Sequence, residues 1–386
     1  MDFDLGEDLE EFQRVVRAWV EKEAPKSYAR ELEANEFEYP QALWDKMTEA
    51  GFHAIGLPEE YGGQGGDVLT QVVLARELAR SLAGLTWMWG IPSFCAKSVN
   101  YFGSDELKAE LLGDLAAGKS RLAITVTEPG GGTDLMGAMR TKAVRADGGW
   151  IVNGHKTWSS GAHAATHLLV LARTNDSPDK PARGVSTFLV KNPSEGLTVK
   201  QIPKLGMRGF GSCDVYLDDV FVEDKYLIGD VGAGFYQMLS TLNNERILVA
   251  GLCCGIIDGV LEDALDYAKQ RYAFGKPIGQ FQALQHFIAD ITIWQKEAEL
   301  LTYYAASKQS RGEPCGVESN IAKVAASEYA GRAADLGIQI LGGMGYSAET
   351  DMQRYWRDAR LYRIGPISNE MARNTIAESH GLPRSF

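Results

Sequence analysis

The feature that most restricts this chain is the order of its hydrophobic periods: helical, then strand-like, then helical again, with no alternation between them. From residue 1 to about 120, Leu9, Phe12, Val16 and Trp19 recur at spacings of three and four, which puts one apolar stripe on a helix. The segment LPEEYGGQGGD (57–67) breaks this region with four glycines suited to sharp turns. From 121 to 230 the runs HLLVLA (167–172), VSTFLV (185–190) and VYLDDVFV (215–222) have the length and the β-branched or aromatic content of strands. Asp147-Gly148-Gly149 punctuates this stretch, and Asn153-Gly154, following Ile151-Val152, predicts a type I′ hairpin. From 231 to 386 the helical period returns. A doubly wound sheet needs strand and helix to alternate, so that class is excluded. The expectation is an α+β, mainly α fold with a helical domain at 1–120, a β domain at 121–230 and a second helical domain at 231–386. No low-complexity linker separates them, which predicts intimate packing.

Charge narrows the function. With 51 acidic and 39 basic side chains the net charge is −12, which offers no basic field for a nucleic-acid partner. The opening MDFDLGEDLEEF is acidic and lacks a basic n-region, so no targeting peptide is expected there. Apolar stretches are broken by charges within a few residues, so no membrane span is expected. Five cysteines without a C-x-x-C pair point to a reduced, cytoplasmic protein, and six scattered histidines predict no metal site.

Four segments carry chemistry or mimic it. In ITVTEPGGGTD (124–134) and GHKTWSSG (154–161), glycines either make turns or let backbone N–H groups approach a phosphate or flavin. This is no dinucleotide fingerprint, because it opens into strands. Trp158, taken singly, reads as a core residue. In QRYAFGKPIGQFQALQ (270–285), Arg271 and Lys276 flank an aromatic at a helix end, either a solvated terminus or a pyrophosphate or adenine site. QILGGMGY (339–346) reads as a helix closing on paired glycines. In LSTLNNERILVAGLCCGIIDG (239–259) and the residue before it, Met238, Leu242, Val249, Leu252 and Ile256 form a stripe. Glu245 falls inside that stripe, three residues after Leu242 and four before Val249. A carboxylate on a buried face is costly unless paired or functional, so it is either in a salt bridge with Arg246 or another Arg, or a working group. Gly251, Gly255 and Gly259 line another face and predict close helix packing.

Taken in order, TEPGGGTD, NGHKTW, KLGMR (204–208), IGDVGAGF (228–235), NNER, RYAFGKPIGQFQ, QILGGMGY and RYWRDARLYRI (354–364) resemble the acyl-CoA dehydrogenases over nearly the whole chain. The resemblance implies a helical N-terminal domain, a central β-barrel-like domain and a C-terminal four-helix domain, assembled as a homotetramer around FAD. It implies flavin contacts at Val126, Thr127, Gly132 and Thr133, with Trp158 shielding the ring and Ser160 near N5. Arg271, Phe274 and Gln282, together with Gln339, Gly342 and Gly343, match cross-subunit contacts to the pyrophosphate and adenine; Ser368 and Glu370 match the last FAD stretch. Thr133, Asn243 and Arg246 match positions that meet the acyl-CoA. The implied reaction takes a proton from Cα while a hydride leaves Cβ for the flavin, giving a trans-2-enoyl thioester. An electron-transfer flavoprotein then reoxidises the cofactor.

The sequence departs from the commonest family pattern at the base. Many members place a catalytic Glu shortly after the RDAR-like segment, where this chain has Pro366 within GPISNE. A smaller group, including isovaleryl-CoA dehydrogenases, carries its base in L-x-x-E-R, which Leu242-Asn243-Asn244-Glu245-Arg246 matches. The helix stripe picks the same residue, so Glu245 is the expected catalytic base and Glu370 its rival. Proline also lacks the N–H that polarises the thioester carbonyl at that place in the family. The alternatives to dehydrogenation are a β-elimination on the same thioester and a non-catalytic flavin-containing binding protein.

Overall fold

The computed structural model describes residues 5–35, 37–175 and 180–385. Its first region holds α1 (Glu7–Glu23), α2 (Lys26–Ala34), α3 (Gln41–Glu49), α4 (Val68–Ser81), α5 (Ala83–Phe102) and α6 (Asp105–Ala116). The predicted stripe faces the core: Val16 is buried, and Phe12 and Trp19 pack beside it. Local capping fixes where helices start. The Asp67 side chain accepts from the Thr70 N–H at the head of α4, and Ser104 accepts from the Leu107 N–H at the head of α6.

The middle region holds β1 (Leu122–Thr125), the single-turn α7 (Leu135–Ala138), β2 (Lys142–Ala146), β3 (Gly149–Ser160), β4 (His167–Arg173), β5 (Val185–Lys191), β6 (Leu197–Gln201), β7 (Ser212–Glu223) and β8 (Leu227–Ile228). They form one sheet in the order β6-β7-β3-β2-β4-β5-β8, with β1 paired parallel to β4. Leu168 to Ala172 and Val185 to Val190 are buried at every position. Both faces of β4 and β5 are covered, which is why these two strands read as unbroken apolar runs. The Asn153-Gly154 hairpin is not formed. The turn falls at Asp147-Gly148, with Ala146 opposite Gly149, and Asn153-Gly154 lies at a bulge inside β3. Pairing with β7 overrides the local turn preference: Asn153 donates to Asp219 Oδ1 at 2.8 Å and accepts from the Asp219 N–H at 2.8 Å.

The last region holds α8 (Gly234–Gln270), a hairpin of β9 (Tyr272–Ala273) and β10 (Lys276–Pro277), α9 (Gln282–Ser310), α10 (Gly316–Leu341), α11 (Gly343–Tyr346), α12 (Met352–Leu361) and α13 (Asn369–Glu378). The long α8 is the spine, packed on α4 from the first region and on α9 and α10 from its own. The glycine row is what admits α4. A Cβ on Gly255 would stand 2.1 Å from the Arg76 carbonyl oxygen, and one on Gly259 2.7 Å from that of Arg80. Among the described residues no helix is long and apolar enough to cross a membrane.

Candidate active site

Two parts of the chain meet around the middle of the sheet. Val126 and Thr127 follow β1, and the Thr127 carbonyl accepts from the Thr157 N–H at 2.8 Å, which sets the 126–134 loop beside Trp158 and Ser160. A buried ion pair fixes that loop. Lys156 Nζ lies 2.9 Å from Glu128 Oε1 and donates to the Val126 carbonyl at 3.0 Å, while Glu128 accepts from the N–H groups of Arg140 and Thr141. Sequence reasoning passed over this pair; the signal available was a lysine within a strand-like run, GHKTW. Trp158 adopts a left-handed backbone conformation at a second β-bulge and is 58 % exposed. An aromatic held that way over open space is the opposite of the core residue it resembles in isolation. Gly132 and Thr133 are exposed on the same loop, and a Cβ on Gly132 would meet nothing.

The loop reaches α8 through packing. Val126 and Leu242 both lie against a small cluster of Met139, Leu171, Val185 and Met238. Glu245 follows on α8, half-buried, with no hydrogen-bond or ion-pair partner among the described residues. Burial pushes its carboxyl up to about 7, against the opposing charges of Arg246 and Lys323. The salt-bridge alternative is therefore not what the structure shows, since the Arg246 Nη1 donates instead to Asn243 Oδ1 at 3.0 Å. Burial lowers the Arg246 guanidinium below its ordinary range, and only Glu245 opposes that. Around them, Asn244 Nδ2 and Oδ1 and Arg246 Nε are buried without a partner. Such orphaned polar atoms call for a ligand, because an unsatisfied buried donor or acceptor is costly. Cys95 of α5 feels the same carboxylate: burial first and the Glu245 charge second raise its thiol.

The remaining expected residues separate into two groups. Ser368 sits at the head of α13, its Oγ accepting from the Met371 N–H at 3.2 Å, and Glu370 is exposed. Arg271, Phe274 and Gln282 lie at the far end of α8 and are exposed. From Glu245 to Arg271 is 26 residues of helix, about 39 Å at the standard rise. Phe274, at the tip of the β9–β10 hairpin, is 95 % exposed. Gln339, Gly342 and Gly343 are exposed where α10 ends, with Gly342 as its cap. One protomer thus does not bring these six residues to the Glu245 end.

Helical regions flank the sheet, an aromatic stands free over a glycine-rich loop, and an unpaired carboxylate lies on the spine helix. The chain belongs to the acyl-CoA dehydrogenase family: residues 6–119, 123–220 and 232–381 match its N-terminal, middle and C-terminal domains. An acyl-CoA dehydrogenase of Bacillus subtilis is 35 % identical over 95 % of this chain and 96 % of its own length. The caffeyl-CoA reductase–Etf complex subunit CarC of Acetobacterium woodii is 34 % identical over 97 % of this chain and 98 % of its own. The butyryl-CoA dehydrogenase structure from Megasphaera elsdenii superposes with a TM-score of 0.94 at 31 % identity, covering 99 % of this chain and 100 % of that one. Membership makes this an FAD-dependent acyl-CoA dehydrogenase, and the exposed Trp158, the open loop glycines and the orphaned atoms near Glu245 fit that cofactor and a thioester.

Proposed function

We propose that the protein oxidises an acyl-CoA thioester to its trans-2-enoyl product with Glu245 as the base that removes the α-proton. FAD, when bound, would supply the hydride acceptor, and Val126, Thr127, Gly132, Thr133, Trp158, Ser160, Ser368 and Glu370 would hold it. The observation that carries the reading is Glu245 itself, half-buried, unpaired and raised to about 7. A base in that range is partly ionised at neutral pH and strong enough to take a proton from a polarised substrate. Arg246 and Lys323 favour the carboxylate form, and Thr133, Asn243 and Arg246 bind the acyl-CoA. Pro366 gives no N–H to the thioester carbonyl.

The reading extends to assembly. Phe274, Arg271, Gln282, Gln339, Gly342 and Gly343 serve a partner's FAD, and Ile293, Leu300 and Tyr304 form an exposed apolar row on α9 suited to subunit contact. The protein is then a homotetramer that hands its electrons to an electron-transfer flavoprotein. Its five free, buried cysteines suit the cytoplasm. The test is an anaerobic panel of saturated acyl-CoAs, followed by loss of flavin absorbance and product analysis. Bleaching with release of an enoyl-CoA supports the reading. Conversion without bleaching indicates elimination, and an unbleached, unconverted complex indicates a binding protein.

A further inference from the structure

Lys323 lies on α10 in a buried row with Ser319, Ser327, Ala330 and Ala334, and is itself completely buried. Its Nζ donates to the Ile367 carbonyl at 2.5 Å and to Asn369 Oδ1 at 2.7 Å, and among the described residues no carboxylate stands within ion-pair distance of it. A buried ammonium held only by neutral oxygens is expensive, so those oxygens must be worth holding. The Ile367 carbonyl and the Ser368 N–H share one peptide plane and point in opposite directions. Gripping the carbonyl therefore turns the Ser368 N–H away from α10. Among the described residues neither the Ile367 nor the Ser368 N–H has an acceptor, and Pro366 has no N–H to give. Asn369 is fixed in turn, its Nδ2 donating to Ser327 Oγ at 3.0 Å and to Glu328 Oε1 at 3.1 Å.

We infer that Lys323 is a positioning residue of this active site: it holds the Pro366–Asn369 turn with its free N–H groups facing away from α10. Its effect on rate rests on the proposed dehydrogenation; its hold on the turn does not. Variants of the FAD-loaded enzyme test it, scored by amide hydrogen exchange over 363–371 and by anaerobic flavin reduction across a range of acyl-CoA concentrations. Lys323→Gln is expected to speed exchange of that segment by about tenfold or more. It should also lower the limiting rate of reduction more than it changes the acyl-CoA concentration for half-maximal reduction. Lys323→Arg, a donor to the same two oxygens, should restore part of both. A folded Lys323→Gln protein with native exchange would overturn the inference, and faster exchange with a native limiting rate would overturn the positioning role. Should that variant not fold, native exchange in Asn369→Ala, which removes the second oxygen that Lys323 holds, overturns the tether.

Discussion

Glu245 and Asp258, two of the carboxylates on the spine helix α8, stand thirteen residues or about 20 Å apart, and burial pushes both the same way until their partners are considered. Asp258 is buried, and desolvation alone would raise it. The Arg76 guanidinium grips it at 2.6 and 3.0 Å, Gln295 adds a bond at 2.6 Å, and the carboxyl ends below its ordinary range. Glu245 has no such grip, and burial carries it up to about 7. Asp258 belongs to a structural clasp between α4, α8 and α9, whereas Glu245 is a raised carboxyl with no partner among the described residues. Burial of a charge therefore says little until its partners are counted.

The contrast breaks most visibly at the clasp. Asp258→Asn should cost up to about 3–5 kcal/mol at pH 7, because Arg76 loses its bidentate carboxylate and keeps only Glu299, at 3.0 Å, to compensate its buried charge. A depressed carboxyl lends stability above its unfolded pKa and loses it as pH falls through the folded value. The gap between variant and wild type in denaturant melts should thus shrink toward acid. Flavin reduction in the folded variant should stay within a few-fold of native.

Pro366→Ala sharpens the working end. Restoring one carbonyl-directed N–H should raise the rate of reduction by a saturated acyl-CoA, with about 10²-fold as the scale of one oxyanion donor. An unchanged rate in stopped-flow bleaching indicates that the Ile367 or Ser368 N–H already fills the place.

The smaller stability effect has the opposite sign to that at Asp258. A raised carboxyl weakens folding as pH climbs from its unfolded value near 4.5 to about 7, and the penalty is constant above that. Glu245→Gln should therefore be more stable than wild type by about 1–3 kcal/mol at pH 8 and equal to it near pH 4, read from denaturant midpoints.

Glu245 was legible in the sequence because a carboxylate interrupts an otherwise apolar stripe. Lys323 satisfies the same criterion in the alanine-rich run of α10, yet no motif drew attention to it. The order of regions and the strand runs were legible because periodicity reports which faces are covered. Asn153-Gly154 misled because pairing with β7 outweighs a two-residue turn preference, and the turn went to Asp147-Gly148. The outward pose of Trp158 was illegible on local grounds, since its left-handed backbone belongs to a bulge that only the partner strand creates.

The central claim is that the unpaired carboxylate of α8 is the base, and single-turnover flavin reduction compares it directly with its rival. Under anaerobic conditions with an acyl-CoA that bleaches the native enzyme, Glu245→Gln should keep its FAD and bind the thioester. Its bleaching should nonetheless slow by about 10³-fold or more, reflecting loss of the general base and its positioning. Glu370→Gln, altering an exposed side chain at the head of α13, should weaken FAD retention more than it slows the step. Near-native bleaching by Glu245→Gln, with the large loss in Glu370→Gln instead, would contradict the account.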